Sequence, residues 1–155
     1  SRGGGELVIA ACWLLVVIGA DYVQRGAFDL LPVAAGLSYA LLVANLLFIN
    51  QFPDHDGDAA SGKRTLVVRL GPQVAKWGYL LIAIVAYAWL IAMVAIEWLP
   101  QKTAAAAMTV ALSFPAGRDL LEYALQPGEL APAIKRTIVA ALVHGVLLAG
   151  VLAFF

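Results

Sequence analysis

The sequence predicts an all-α, polytopic transmembrane bundle of about five spans, formed as one integral membrane domain over residues 1–155. Composition is the first reason. Of the 155 residues 63% are hydrophobic and 13% charged, whereas soluble domains run at about 45–50% and about 25%. Span length is the second, because several apolar runs approach the ~20 residues that a helix needs to cross a bilayer. Charge placement is the third. The net charge is zero, but the charges collect on short connecting segments and leave the runs between them nearly free.

Taken in order, Leu7–Ala20 carries no charge and extends to about Val23 if Asp21 sits at the interface. Leu30–Gln51 is the cleanest span, opened by Gly26, Asp29 and Pro32. Trp77–Ile96 follows and stops before Pro100. Thr103–Gly117 is short and Ala-rich, with Pro115, Pro127 and Gly128 marking breaks around it, since proline removes a helical hydrogen bond. Thr137–Phe155 is the last. Trp77, Trp98 and Tyr22 fall near span ends, where amphipathic rings anchor at the headgroups. Gly36, Ala40 and Ala44 recur every four residues as a stripe for close helix packing.

The lone Cys12 offers neither a disulfide framework nor a zinc site. The start, SRGGGE, lacks an initiator Met, and the first methionine is Met93, so the sequence is expected to begin inside a longer gene product.

With five alternating helices, Arg2, Lys63, Arg64, Arg69, Lys76, Arg118, Lys135 and Arg136 share one side of the membrane, and Arg25 and Lys102 the other. Basic residues concentrate on cytoplasmic loops. The loop at about 52–76 is therefore expected to be cytoplasmic in a multi-pass cell-membrane protein. The same bias supports the weak fourth span, because an even number of helices breaks it.

The second span runs into Asn50-Gln-Phe-Pro-Asp54-His-Asp56-Gly-Asp58, and then Gly62-Lys63-Arg64-Thr65 and Arg69-Leu-Gly71. On a helix Asn50, Asp54 and Asp58 lie within about 80° of arc, and Asp56 points nearly opposite. Pro53 requires either a kink or a fresh short helix with proline in its first turn. Two carboxylates ~6–7 Å apart repel by roughly 2–3 kcal/mol at an effective dielectric of about 20, so they call for a cation. Mg²⁺ suits a few carboxylates with phosphate oxygens and water, and Lys63, Arg64 and Arg69 suit the remaining phosphate charge. Carboxylates and then bases at the mouth of an apolar bundle fit a ligand with a diphosphate head and an apolar tail.

Three rival readings apply to this loop. An EF-hand needs Gly and Glu where Ala59 and Thr65 stand, and a P-loop needs Ser or Thr where Arg64 stands. An ordinary solvated loop is the remaining one.

The segment NQFPDHDGDAASGKRTLVVRLG resembles the second aspartate-rich motif of the UbiA superfamily of intramembrane prenyltransferases. Its GKRT and V-R-L-G-type ending is most similar to the 1,4-dihydroxy-2-naphthoate polyprenyltransferase branch. Gly5-Glu6-Leu7 and the stretch from Gly19 to Gly26 resemble what precedes the motif there, and Pro132 to Gly145 matches more weakly.

The resemblance implies half of a UbiA-type helical barrel of about nine spans. It also implies Mg²⁺-dependent transfer of a polyprenyl group from a polyprenyl diphosphate to an aromatic quinone precursor. Asp54 and Asp58 would be metal ligands, Lys63 and Arg64 would steady the leaving diphosphate, and Asn50 and Arg69 would contact the substrate. Gln51 and Pro53 depart from the Asn and Arg more usual in that branch, which leaves the acceptor open. Other ligands are expected from a missing N-terminal half, so the fragment alone is expected to be inactive. Membrane lipid is an expected partner and nucleic acid is not. A superfamily enzyme with another acceptor and a non-catalytic membrane protein or transporter are the alternatives; ionisable groups near mid-bilayer, as transporters have, are scarce here.

Among lesser candidates, His144 reads as a neutral histidine bonded to a neighbouring helix, and Ser38 and Asn45 as interhelical hydrogen-bonding groups. Tyr22, Tyr79 and Tyr87 read as packing or anchoring residues, His55 as a bystander, and Asp119 and Glu122 as interfacial surface groups.

The basic bias predicts that a cysteine placed at Ser61 in sealed vesicles is labelled from the cytoplasmic side. Labelling from the opposite side alone would reverse the topology.

Overall fold

The computed structural model describes residues 3–154, so Arg2 and Phe155 lie outside the described residues. It is all helical, with no strand among the described residues. The elements are α1 (Gly5–Arg25), α2 (Leu31–Asn50), two short helices α3 (His55–Ala60) and α4 (Leu66–Leu70), α5 (Pro72–Ala95), a 3₁₀ segment (Gln101–Thr109) running into α6 (Val110–Tyr123), a 3₁₀ turn (Pro127–Glu129) and α7 (Ala131–Phe154).

Four helices, α1, α2, α5 and α7, are long and apolar enough to cross a membrane. Three begin earlier than their apolar runs. α1 takes in Gly5 and Glu6; α5 starts at Pro72 directly after Gly71, whose φ of 75° admits the turn; α7 takes in Lys135 and Arg136. Hydropathy misses these starts because the extra residues are charged yet held. Lys76 Nζ donates to the Leu121 carbonyl at 3.0 Å, and Arg136 pairs with Asp119. That pairing also corrects the placement of Asp119, whose side chain is only 15% exposed and ties α6 to α7 rather than facing solvent.

The segment predicted as the fourth span is helical, but it is not among the four helices long and apolar enough to cross. Pro115 lies inside α6 rather than at a break, and the run is completed on its N-terminal side by 3₁₀ turns. Nine residues at ~2.0 Å and fourteen at ~1.5 Å per residue reach about 39 Å, comparable with about 36 Å for α7. The two run antiparallel over the same depth. Asp119 meets Arg136 at one end, Thr109 meets His144 midway, and Ala106 packs in the cluster of Leu148 towards the other.

The core forms three levels along this axis. Phe48, Tyr79, Leu120 and Ala133 build the first, at the end that carries residues 51–71. Leu42, Ala86 and Ala141 make the middle. Leu90, Leu99, Ala106 and Leu148 close the far end. Because the crossings alternate, seven basic residues from Lys63 to Arg136 fall at the first end, and Arg25 and Lys102 at the far one. Trp77 and Trp98 are exposed near opposite ends, as interfacial anchors are.

α2 is the central helix. In the most apolar window 61% of it is buried, against 6% of α1 and 28% each of α5 and α7. Small residues permit this. A Cβ added at Gly36 would stand 3.0 Å from Val17 Cγ1, and Ala40 and Ala44 are buried. Polar side chains at mid-depth bond between helices, because hydrocarbon offers no other partner. Ser38 Oγ meets His144 Nε2 at 3.0 Å; His144 Nδ1 lies 3.1 Å from the Ala106 carbonyl and 3.2 Å from Thr109 Oγ1. Tyr87 meets Ser113 and Thr109, Tyr79 meets Thr137, and Asn45 Nδ2 donates to the Tyr79 carbonyl at 3.1 Å. Tyr22 stacks on Phe28 near the far end.

His144→Ala removes a fully buried ring and its contacts to α2 and the 3₁₀ segment. The expected loss is about 2–4 kcal/mol, mostly from the cavity, read by reversible unfolding in mixed micelles. A loss below about 0.5 kcal/mol would show that the network does not hold the 3₁₀ segment.

Candidate functional site at the aspartate loop

α2 ends at Asn50, and the chain turns through Gln51–Asp54 before α3 begins. Pro53 sits in that turn, one residue ahead of the Asp54 N-cap rather than in the helix's first turn. The fresh short helix gives Asp54 and Asp58 their spacing, with Asp58 N–H donating to the Asp54 carbonyl at 2.8 Å. Both line a cavity of about 280 Å³, together with Gly3, Gly5, Glu6, Leu47, Asn50, Gln51, Lys63 and Thr65. Asp56 points away, with its side chain fully exposed and bonded, among the described residues, to His55 Nδ1 at 2.8 Å.

α3 closes at Ser61, and Gly62 adopts a φ of 74°, a left-handed conformation that costs glycine little. That reversal returns the chain over α3. Lys63 N–H bonds the Asp58 carbonyl at 2.9 Å, and Lys63 Nζ donates to Asp58 Oδ1 at 2.8 Å. Asp58 is buried while the Lys63 side chain is 60% exposed, so the ammonium caps the carboxylate from the solvent side. The hydrogen bond to Asp58, then its charge and that of Asp54, raise the Lys63 pKa above its usual value. The ammonium therefore stays charged at neutral pH, and that charge is lost as pH rises through the raised value. Lys63 thus supplies part of the counter-charge that the sequence reading gave wholly to a metal.

Of the other sequence candidates, Asn50 lines the cavity, with Nδ2 donating to the Leu46 carbonyl at 2.8 Å. Arg64 is exposed and outside the lining. Arg69 packs over the rim at Gly3, where an added Cβ would stand 2.9 Å from its Nη1. Among the described residues no three His, Cys, Asp or Glu side chains gather to hold a metal. Asp54 and Asp58 provide two hard oxygen donors on one cavity, which fits an ion that takes its other ligands from water and phosphate.

Two buried polar residues of the lining, Glu6 and Gln51, were quoted in the sequence reading but not placed in the site. Glu6, in the first turn of α1, is buried, and its Oε1 accepts a hydrogen bond from Gln51 Nε2. Gln51 is buried as well, and its Oε1 lies 3.5 Å from Val67 N at the start of α4. This chain of contacts joins the beginning of α1, the end of α2 and the far side of the loop. An acid beside an otherwise uncharged span was the available signal. A larger apolar groove of about 400 Å³, between Val17, Gly36, Tyr39, Gly145 and Leu152, carries no charged group.

The UbiA prenyltransferase family model matches residues 2–126. A curated relative, the 1,4-dihydroxy-2-naphthoate octaprenyltransferase of Mycobacterium tuberculosis, is 30% identical over 156 aligned positions, covering 98% of this chain and 51% of the relative. The chain thus spans about half the length of the curated relative that it matches. No solved structure matches.

Proposed function

The chain belongs to the UbiA prenyltransferase family, and on that premise we propose that it forms the C-terminal half of an enzyme moving a polyprenyl group from its diphosphate to a hydroxylated aromatic acceptor. One observation carries the reading: Asp54 and Asp58, one helical turn apart, line one cavity with Asn50 and Lys63 at the charged end of an apolar bundle.

In this reading Asp54 and Asp58 hold Mg²⁺, which when bound neutralises charge on the departing diphosphate. Lys63 is largely exposed and held by the single contact to Asp58, so its ammonium can turn to a phosphate oxygen without breaking any other bond that holds the loop. Asn50 orients polar groups at the end of α2, and Arg64 and Arg69 add positive potential around the rim. The loop faces the cytoplasm, where the diphosphate head enters. The named relative supports a naphthoate acceptor, and Gln51 beside Glu6 is where the choice of acceptor is made. Mid-bundle His144 is enclosed by bonding partners, which argues against a transport path there.

In the full-length enzyme Asp54→Ala and Asp58→Ala are each expected to lower transfer by at least about 10²-fold, and Asp56→Ala by less than about tenfold. Product formation from labelled polyprenyl diphosphate and 1,4-dihydroxy-2-naphthoate measures this, and equal losses at all three would remove the geometric basis of the site.

Residues 1–155 alone are expected to show no transfer, and co-expression with the upstream half to restore it. Robust turnover by the isolated segment would overturn the two-half reading.

A further inference from the structure

Glu6 is 6% exposed, and its two carboxylate oxygens have different fates. Oε1 is taken by the Gln51 amide, whereas Oε2 is buried and has no hydrogen-bond partner among the described residues. A buried acceptor left unpaired is costly, and more so when it is ionised. The nearest ammonium on the same cavity, Lys63, is engaged by Asp58. Glu6 also does not gather with Asp54 and Asp58 as a three-carboxylate group, so it does not extend the metal-binding pair.

The surroundings describe what would complete it. Glu6 lines the cavity of about 280 Å³, which is close to the lower limit of ~300 Å³ for ligand pockets. Such a space is too small for a polyprenyl chain. Gly3, Gly5 and Leu47 line it beside Glu6, so part of the wall is backbone and aliphatic carbon, against which a flat ring can lie. A carboxylate oxygen accepts and does not donate. The missing partner is therefore a donor carried by a small planar molecule.

We propose that Glu6, oriented by Gln51, recognises the aromatic acceptor by accepting a hydrogen bond from a ring hydroxyl at Oε2. This inference rests on the prenyl-transfer reading and assigns the acceptor side of its site. Gln51 acts as the positioning residue, since its amide fixes one carboxylate oxygen and leaves the other for the ligand.

The test is equilibrium binding to the purified full-length chain in nanodiscs, with 1,4-dihydroxy-2-naphthoate and 2-naphthoate as probes. Wild type is expected to prefer the dihydroxylated probe by at least about tenfold, the scale of a hydrogen bond to a charged group. Glu6→Gln should remove most of that preference while leaving the KM for the polyprenyl diphosphate and the Mg²⁺ dependence unchanged. Equal binding of both probes by wild type would overturn the proposal, and so would an undiminished preference in Glu6→Gln. Should Glu6→Gln fail to fold, Glu6→Asp decides: its shorter reach should weaken the preference, and full retention counts against the assignment. Wild type that discriminates the probes but transfers no prenyl group refutes the prenyl-transfer reading alone. Transfer without discrimination refutes this one alone.

Discussion

Everything at the charged end depends on how closely helices approach α2. Inside a bilayer, apolar side chains gain little by leaving lipid for one another, so association relies on dense packing and interhelical hydrogen bonds. α2 supplies both. Gly36, Ala40 and Ala44 let neighbours come near, and Ser38 and Asn45 reach α7 and α5. With α2 fixed on several sides, its C-terminus is fixed too. Asn50 and Gln51 are thus delivered to one place, and the aspartate turn starts from a rigid base.

The loop then folds from short-range rules. Pro53 ends the regular helix, α3 restores one and a half turns, and Gly62 reverses the chain so that Lys63 covers Asp58. The result joins two electrostatic environments on one cavity. On one side are the Asp54 and Asp58 carboxylates with an exposed ammonium beside them; on the other is a buried glutamate bonded to an amide. In the proposed transfer the first side would handle the anion and the second the ring.

Much of this was legible in the sequence. The four-residue spacing of Asp54 and Asp58 is a local helical fact, and the long spans follow from hydropathy over windows. The less legible parts depend on distant partners. Lys76 and Arg136 look like span limits until Leu121 and Asp119 are seen to receive them. Thr103–Gly117 looked too short because 3₁₀ turns cover more length per residue, and nothing local announces that His144, thirty-eight residues away, holds the Ala106 carbonyl. Glu6 and Gln51 are forty-five positions apart, so neither predicts the other.

The α1–α2 hairpin bears on the order of assembly during synthesis. α1 has little burial of its own, and its close neighbour is the next helix in the chain. The connection is short: Gly26 turns the chain, Arg25 bridges Asp21 and Asp29, and Asp29 receives the Leu31 N–H. The contacts that form this connection are local, and local contacts form fastest. The pair can therefore close while α5 is still being translated. The surface of α2 that later receives α5 and α7 would then wait, already oriented, as they enter the bilayer.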